Sequence, residues 1–229
     1  MPESGDGVLE LIAVMDRLRS PGGCPWDARQ THRSLIEYLL EESYETVEAI
    51  EAGDRDDLRE ELGDLLLQVV FHARIAQEDT QDPWDIDDVA RGITAKLVRR
   101  HPHVFAAEGE SASTAEQVEA QWHELKAREK GRASVTEGIP DALPALLRAA
   151  KVLSRSERLD VPLPPGPDGA AEALLSGSPV EWPVGDEQAL GDLLLGIVAA
   201  SRARGWDAES ALRDALRRQV ARIRAAEGA

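Results

Sequence analysis

Two short acidic runs carry the plainest chemical meaning in this 229-residue chain: Glu41-Glu42-Ser-Tyr-Glu45 and, after a gap of fifteen residues, Glu61-Leu-Gly-Asp64. If both runs are helical, a step of three leaves side chains about 60° apart on one face, which pairs Glu42 with Glu45 and Glu61 with Asp64. A tight turn between the two helices can bring the four carboxylates together. Held close they repel one another, by roughly 4 kcal/mol per pair at about 4 Å in an intermediate dielectric, so the cluster needs a cation. An all-oxygen donor set selects Mg²⁺, with Mn²⁺ as a substitute, over zinc or copper. The competing reading is a solvated acidic face, since the chain has 43 acids and Glu48/Glu51, Asp54/Asp57 and Glu116/Glu119 repeat the spacing. The surroundings separate the two. Leu58, Leu62, Leu65, Val69 and Ala76 flank one side of the second run and Leu67 and Phe71 the other, leaving Glu61, Asp64 and Gln68 as a narrow polar strip. Such a strip predicts acids turned into a bundle interior.

Lys96, Arg99 and Arg100 stand at i, i+3 and i+4, followed by His101-Pro-His103. A basic triplet is ordinarily a solvated edge. Beside a metal site in so acidic a chain it suits a polyphosphate, with arginine forking onto the oxygens. Trp122 and Lys126, one turn apart, could stack on a base and reach a phosphate, although a lone Trp on an amphipathic helix also reads as core. His101 and His103 read as ligands or as helix-terminal structural groups. A di-iron site would need Glu-x-x-His from two helices; here the motif ends in Asp64, with His72 too far along. Arg213, Arg217, Arg218 and Arg222 make a basic helix face suited to docking on an acidic surface.

These residues need helices to position them, and apolar positions recur at helical spacing almost throughout, with no alternating run that reads as a strand. The expected class is all-α, an antiparallel helical bundle. Helices are predicted over about 8–19, 31–52, 54–77, 85–100 and 114–130, then 141–158, 186–204 and 207–226. Gly53 and Asp54 between the second and third make those two antiparallel neighbours. The proline-rich stretch from Pro162 to Gly169 suggests a boundary, giving a catalytic helical domain over 1–130, a linker with one helix over 131–169 and a second helical unit over 170–229.

That second unit reads as a copy of the first. A shift of 128 residues sets Glu61-Leu-Gly-Asp-Leu-Leu-Leu-Gln-Val-Val against Ala189-Leu-Gly-Asp-Leu-Leu-Leu-Gly-Ile-Val, identical at seven of ten positions, and Arg74 on Arg202. After a shorter loop Trp84-Asp85 meets Trp206-Asp207 and Lys96 meets Arg218. Ala189 replaces Glu61 and nothing before it reproduces the acidic cluster, so this copy is expected to be degenerate and inactive.

The balance of 26 Lys+Arg against 43 Asp+Glu, a net charge of −17, argues against polymeric nucleic acid or acidic membrane as partner. One cysteine, Cys24, excludes an intrachain disulfide or a multi-Cys zinc site. The acidic start lacks the features of a leader, and the longest apolar stretch, 193–200, falls short of the roughly 20 residues that span a bilayer. The expectation is a soluble, cytoplasmic protein.

Together these motifs resemble the MazG family of nucleoside triphosphate pyrophosphohydrolases, within the all-α NTP pyrophosphatase superfamily. The resemblance rests on Gly23-Cys-Pro-Trp-Asp27, Glu-Glu-x-x-Glu at 41–45, Glu61-x-x-Asp64, Lys96-x-x-Arg-Arg-His-Pro-His-Val-Phe105 and Ile139-Pro-x-x-Leu-Pro-Ala-Leu146, and covers about residues 8–153. It implies that Glu42, Glu45, Glu61 and Asp64 ligate Mg²⁺ with Glu41 in a supporting role, that Lys96, Arg99 and Arg100 hold phosphates, and that Trp122 lies near the base. It further implies cleavage of NTPs between the α and β phosphates to NMP and pyrophosphate, in a homodimer or higher homo-oligomer. The physiological substrate stays open among ordinary NTPs, damaged or non-standard dNTPs in a house-cleaning role, and ppGpp. Arg59-Glu-Glu-Leu-Gly-Asp64 echoes a Nudix box, but the upstream Gly and Glu that box requires, and its strands, are absent. The alternative function is a non-catalytic nucleotide-sensing or regulatory helical protein that has kept the same site; a purely structural helical adaptor would bind no nucleotide.

Overall fold

In a computed structural model of the chain the described residues are 5–105, 114, 118, 134–159, 161, 163, 170–177 and 185–227, and their regular structure is entirely helical. They belong to two compact units, Met1–Lys126 and Ala127–Ala229. The first contains α1 (Asp6–Arg19), a 3₁₀ turn (Asp27–Arg29), α2 (Ile36–Ala52), α3 (Arg55–Ala76), α4 (Ile86–Arg100) and the single-turn α5 (Pro102–Phe105). The second contains α6 (Ala145–Ser156), a 3₁₀ turn (Glu157–Leu159), α7 (Ala170–Ser176), α8 (Glu187–Ala203) and α9 (Ala208–Glu227). Among the described residues no helix is long and apolar enough to cross a membrane.

The α2–α3 hairpin positions both acidic runs. Gly53, at φ 75°, closes α2 in the left-handed region and donates its N–H to the carbonyls of Ala49 and Ile50. Asp54 then opens α3, its Oδ1 accepting from the N–H groups of Asp56 at 2.9 Å and Asp57 at 3.2 Å. The link is two residues long, so the helices return side by side. Thr46, buried on α2, donates to the Glu42 carbonyl at 2.7 Å and lies 3.5 Å from the Glu61 carbonyl, which places the two acidic runs at the same level.

Helix α2 starts later than the apolar spacing predicts. Ser34 Oγ accepts from the Thr31 N–H at 2.9 Å and Thr31 Oγ1 from the Ser34 N–H at 3.1 Å, so hydroxyls take up backbone donors and hold 31–35 as turns. α5 is an element the sequence reading omits: Pro102 stops α4 yet suits the first position of a new helix. Similarly, the helix predicted from 141 begins at Ala145, after Pro144. The helix predicted over 114–130, with Trp122 and Lys126, lies outside the described residues apart from 114 and 118.

The core of the first unit joins Met15 of α1, Leu35 and Val70 and Phe71 of α3, with Leu11, Ile12, Leu18, Leu67, Ile75 and Ile86 packed around them. A charged group anchors its edge. Arg19, 8% exposed, pairs in bidentate fashion with Glu78 (3.0 and 2.7 Å) and donates to the carbonyls of Asp27 and Gln30, tying the Gly23–Asp27 loop to the end of α3. Gly23 is required where that loop folds back, because a Cβ there would run into the carbonyl oxygens of Arg17 and Leu18.

In the second unit α8 packs against α6, α7 and α9. Its chain path restates part of the first. Asp85 caps α4 through a reciprocal box with Asp88, and Asp207 accepts from the N–H groups of Glu209 and Ser210 at the start of α9. Arg74 pairs with Asp16 and Glu78, Arg202 with Glu157. Val70 and Val198 are both fully buried.

Candidate metal centre

Three of the predicted ligands come together. One carboxylate oxygen each from Glu42, Glu45 and Glu61 lies within 4.8 Å of the others, so the group can close on a single cation. Asp64 stands just outside that trio, half-buried, yet its charge is the largest electrostatic influence on Glu42. Partial burial first, then the charges of Asp64, Glu45 and Glu61, hold the Glu42 carboxyl above its ordinary value. Glu61 is raised by the same kind of cause, burial first and then Glu45 and Asp64. A cluster whose charges raise the proton affinity of Glu42 and Glu61 is short of positive charge, and the donor set is entirely oxygen. The residues fit a hard divalent cation. Glu41, about 100° round the helix from Glu42, is exposed and outside the trio.

The site is more open than the flanking leucines suggest. Glu45 is exposed, and on the neighbouring flank of α3 Leu62 (49%), Leu66 (38%) and Val69 (38%) also face outward. The expectation of a closed interior is therefore corrected in part: Leu67 and Phe71 on the other flank are packed into the core, and of the first flank Ala76 is buried and Leu58 and Leu65 half-buried, while Leu62 and Val69 are left exposed within one chain. The predicted phosphate-binding residues sit on the last two turns of α4, with Lys96 half-buried, Arg99 exposed and Arg100 buried. At a helix C-terminus their charge also complements the exposed carbonyls. His101 places its Nδ1 2.7 Å from the Leu97 carbonyl, one turn back on α4. Trp122 and Lys126 lie outside the described residues.

A second cluster continues from the acids along α3: Gln68 belongs to the polar strip read from the sequence, whereas His72 and His32 were not joined to it. Gln68, 5% exposed, has its Oε1 buried without a hydrogen-bond partner, and so does Nε2 of His72, one turn further on. An unmade hydrogen bond of this kind costs about 1–3 kcal/mol. The other nitrogen of His72, Nδ1, meets Nδ1 of His32 at 2.7 Å, so one of the two carries the shared proton. The rings are stacked at 5.0 Å with an interplanar angle of 1°, and the Trp84 indole stacks on His32 at 6.3 Å. Burial, with the proximity of His32, holds His72 below the usual histidine value. The signal for His72 was its i, i+4 continuation of Asp64 and Gln68. His32 carried none, because it lies on a turn that precedes α2.

Residues 30–105, which include both acidic runs and the basic end of α4, match the MazG nucleotide pyrophosphohydrolase domain. Over 99% of its length the chain is 43% identical to the nucleoside triphosphate pyrophosphohydrolase/pyrophosphatase MazG of Thermotoga maritima, covering 88% of that protein. It is 41% identical to the Escherichia coli nucleoside triphosphate pyrophosphohydrolase, with 95% of this chain and 88% of the relative aligned. An uncharacterized 26.1 kDa protein from Streptomyces cacaoi is 48% identical over 98% of the chain and 84% of its own length. Acidic cluster, helical hairpin and similarity over nearly all of the given chain agree, and the chain belongs to the MazG family of nucleoside triphosphate pyrophosphohydrolases.

Proposed function

We propose that the protein hydrolyses nucleoside triphosphates between the α and β phosphates, releasing NMP and pyrophosphate, with Mg²⁺ at the carboxylate cluster and Mn²⁺ able to replace it. The observation that carries this reading is the convergence of Glu42, Glu45 and Glu61, with Asp64 beside them, in a chain of this family. Glu42 and Glu45 from α2 and Glu61 and Asp64 from α3 would hold the cation, and Glu41 would support them from the exposed side of α2. A cation so held would polarise the α-phosphoryl group and activate the attacking water. Lys96, Arg99 and Arg100 would bind the β and γ phosphates and stabilise the charge on the departing pyrophosphate. Trp122 and Lys126 are assigned to the nucleoside side on the sequence motif alone. The house-cleaning role, removal of non-standard nucleotides in the cytoplasm, is part of the same proposal.

We further infer that the working form is a homodimer or higher homo-oligomer. Ile36 and Leu40 on α2, Leu62 and Leu66 on α3, and Ile93 and Leu97 on α4 are exposed large apolar side chains around the site, more than an isolated helical unit leaves in water without cause. A second copy laid on them would close the open flank of the acids. The second unit is read as a degenerate copy, from 170 onward, that serves stability or assembly, with 131–169 as the linker and 1–130 as the catalytic domain.

The test is product analysis. Purified protein with Mg²⁺ and a panel of NTPs and dNTPs is resolved by anion exchange. The expected products are NMP and pyrophosphate, lost on chelation; NDP and phosphate would overturn the assigned bond. Mg²⁺-dependent binding without turnover would make the protein a nucleotide sensor.

A further inference from the structure

The internal repeat separates what the fold needs from what the site needs. The shift of 128 residues retains Leu65 as Leu193, Val70 as Val198 and Arg74 as Arg202, all packing or anchoring positions. Along the polar strip it replaces Glu61 by Ala189, Gln68 by Gly196 and His72 by Ala200, and keeps only Asp64, as Asp192. Gly196 is where α7 comes close to α8: a methyl added there would meet the Ala171 side chain at 3.4 Å. So the copy without the acidic cluster also lacks the amide and the imidazole, and a neighbouring helix packs near the Gln68 position. Gln68 and His72 go with the site and not with the helix packing.

We propose that Gln68 and His72 form the edge that recognises the nucleobase of the substrate, with Gln68 Oε1 accepting a hydrogen bond from a base N–H and His72 Nε2 pairing with a second polar atom of the base. The inference rests on the nucleotide reading above. Both atoms are buried and unpartnered, on the same face of α3 as Glu61 and Asp64, about 6 and 12 Å beyond Asp64 along the helix. In the other direction, toward the hairpin turn, the chain offers Asp57, Glu60, Asp56 and Asp54, which suit neither a phosphate nor a neutral base. The bond to His32 fixes the His72 ring and leaves Nε2 as its available nitrogen. Its lowered proton affinity keeps it neutral at pH 7. A neutral amide and a neutral imidazole match the uncharged end of a nucleotide whose phosphates lie at the carboxylates.

The test compares ligands with and without a base. Binding of ATP and of ribose 5-triphosphate, each with Mg²⁺, is measured by calorimetry on wild type, Gln68→Leu and His72→Phe, alongside Mn²⁺ affinity and NTP turnover. Each variant is expected to lose about tenfold or more in ATP affinity, the size of one good hydrogen bond, with ribose 5-triphosphate and Mn²⁺ binding unchanged. Among hydrolysed NTPs the loss should fall on KM and differ between bases. Equal losses for both ligands would overturn the proposal, as would undiminished ATP binding. Gln68→Leu removes an unsatisfied acceptor and should not lower the thermal midpoint, so a folding defect is not expected to obscure the result. A wild type that binds ATP through these residues without hydrolysing it would sink the catalytic reading and leave this one standing.

Discussion

Carboxylates gathered without a counter-ion oppose folding, and the raised proton affinities of Glu42 and Glu61 give that statement a sign. A carboxyl whose pKa is raised in the folded state contributes stability below its unfolded pKa, and this is lost as pH rises through the folded value. At neutral pH the metal-free protein therefore carries the repulsion, and Glu42→Gln should raise its melting temperature while abolishing the further rise produced by Mg²⁺; calorimetry with and without EDTA reads both. Turnover by Glu61→Gln should fall by about 100-fold or more, measured as pyrophosphate release at saturating Mg²⁺. Metal affinity should decline as pH drops through the raised values of Glu42 and Glu61, above the ordinary glutamate range. Glu78 behaves oppositely. Its bond to Arg19 lowers its pKa, so its stabilisation is present above the unfolded value and is lost as acid titrates the folded carboxylate. Arg19 is buried and Glu78 is not, so the two sides of the pair are unequal. Arg19→Ala leaves the Asp27 and Gln30 carbonyls without their donor and should cost about 3 kcal/mol in urea unfolding, whereas Glu78→Gln takes the counter-charge from the buried guanidinium but keeps an oxygen acceptor for it, and should cost less, about 1–2 kcal/mol.

At the scale of the element, the α2–α3 hairpin is what converts two sequence motifs into one site. Its geometry depends on a left-handed residue, a cap and a buried hydroxyl. Gly53→Ala forces a Cβ into φ 75° and should cost about 1 kcal/mol, and Asp54→Ala should cost about as much by freeing two N–H groups. Thr46→Val keeps the volume but removes the bond to the Glu42 carbonyl inside the helix pair. Its expected loss is about 1 kcal/mol of stability together with weaker Mn²⁺ binding, because the levels of Glu42 and Glu61 are set across that contact. A mutant that loses stability but keeps its metal affinity would show that the carboxylates are positioned by the turn alone.

For the whole molecule, the repeat provides an internal control. Asp192 occupies the position of Asp64 in a unit where Ala189 stands for Glu61. Asp64→Asn should abolish turnover and Asp192→Asn should leave it within about twofold, as measured side by side, if catalysis belongs to the first unit. Assembly makes its own prediction. Placing a charge on the exposed face, as in Leu97→Asp, should shift the species seen by light scattering toward the monomer and lower turnover in parallel. Loss of assembly with full activity would mean that one chain completes the site by itself.

Helix class, the short hairpin and the pairing of Glu42 with Glu45 and Glu61 with Asp64 were legible in the sequence, because helical periodicity, Gly53 and Asp54 are local signals whose physics acts over a few residues. The late start of α2 was not, since it depends on Thr31 and Ser34 satisfying each other's backbone instead of continuing the helix. The contact between His32 and His72, forty residues apart, has no periodic trace. The orphaned atoms of Gln68 and His72 exist only as a consequence of burial, which is a property of the packed helices. Residue types and spacing determined which groups could meet; tertiary structure decided which did, and which were left without a partner, because desolvation and long-range contacts arise only once the chain has folded back upon itself.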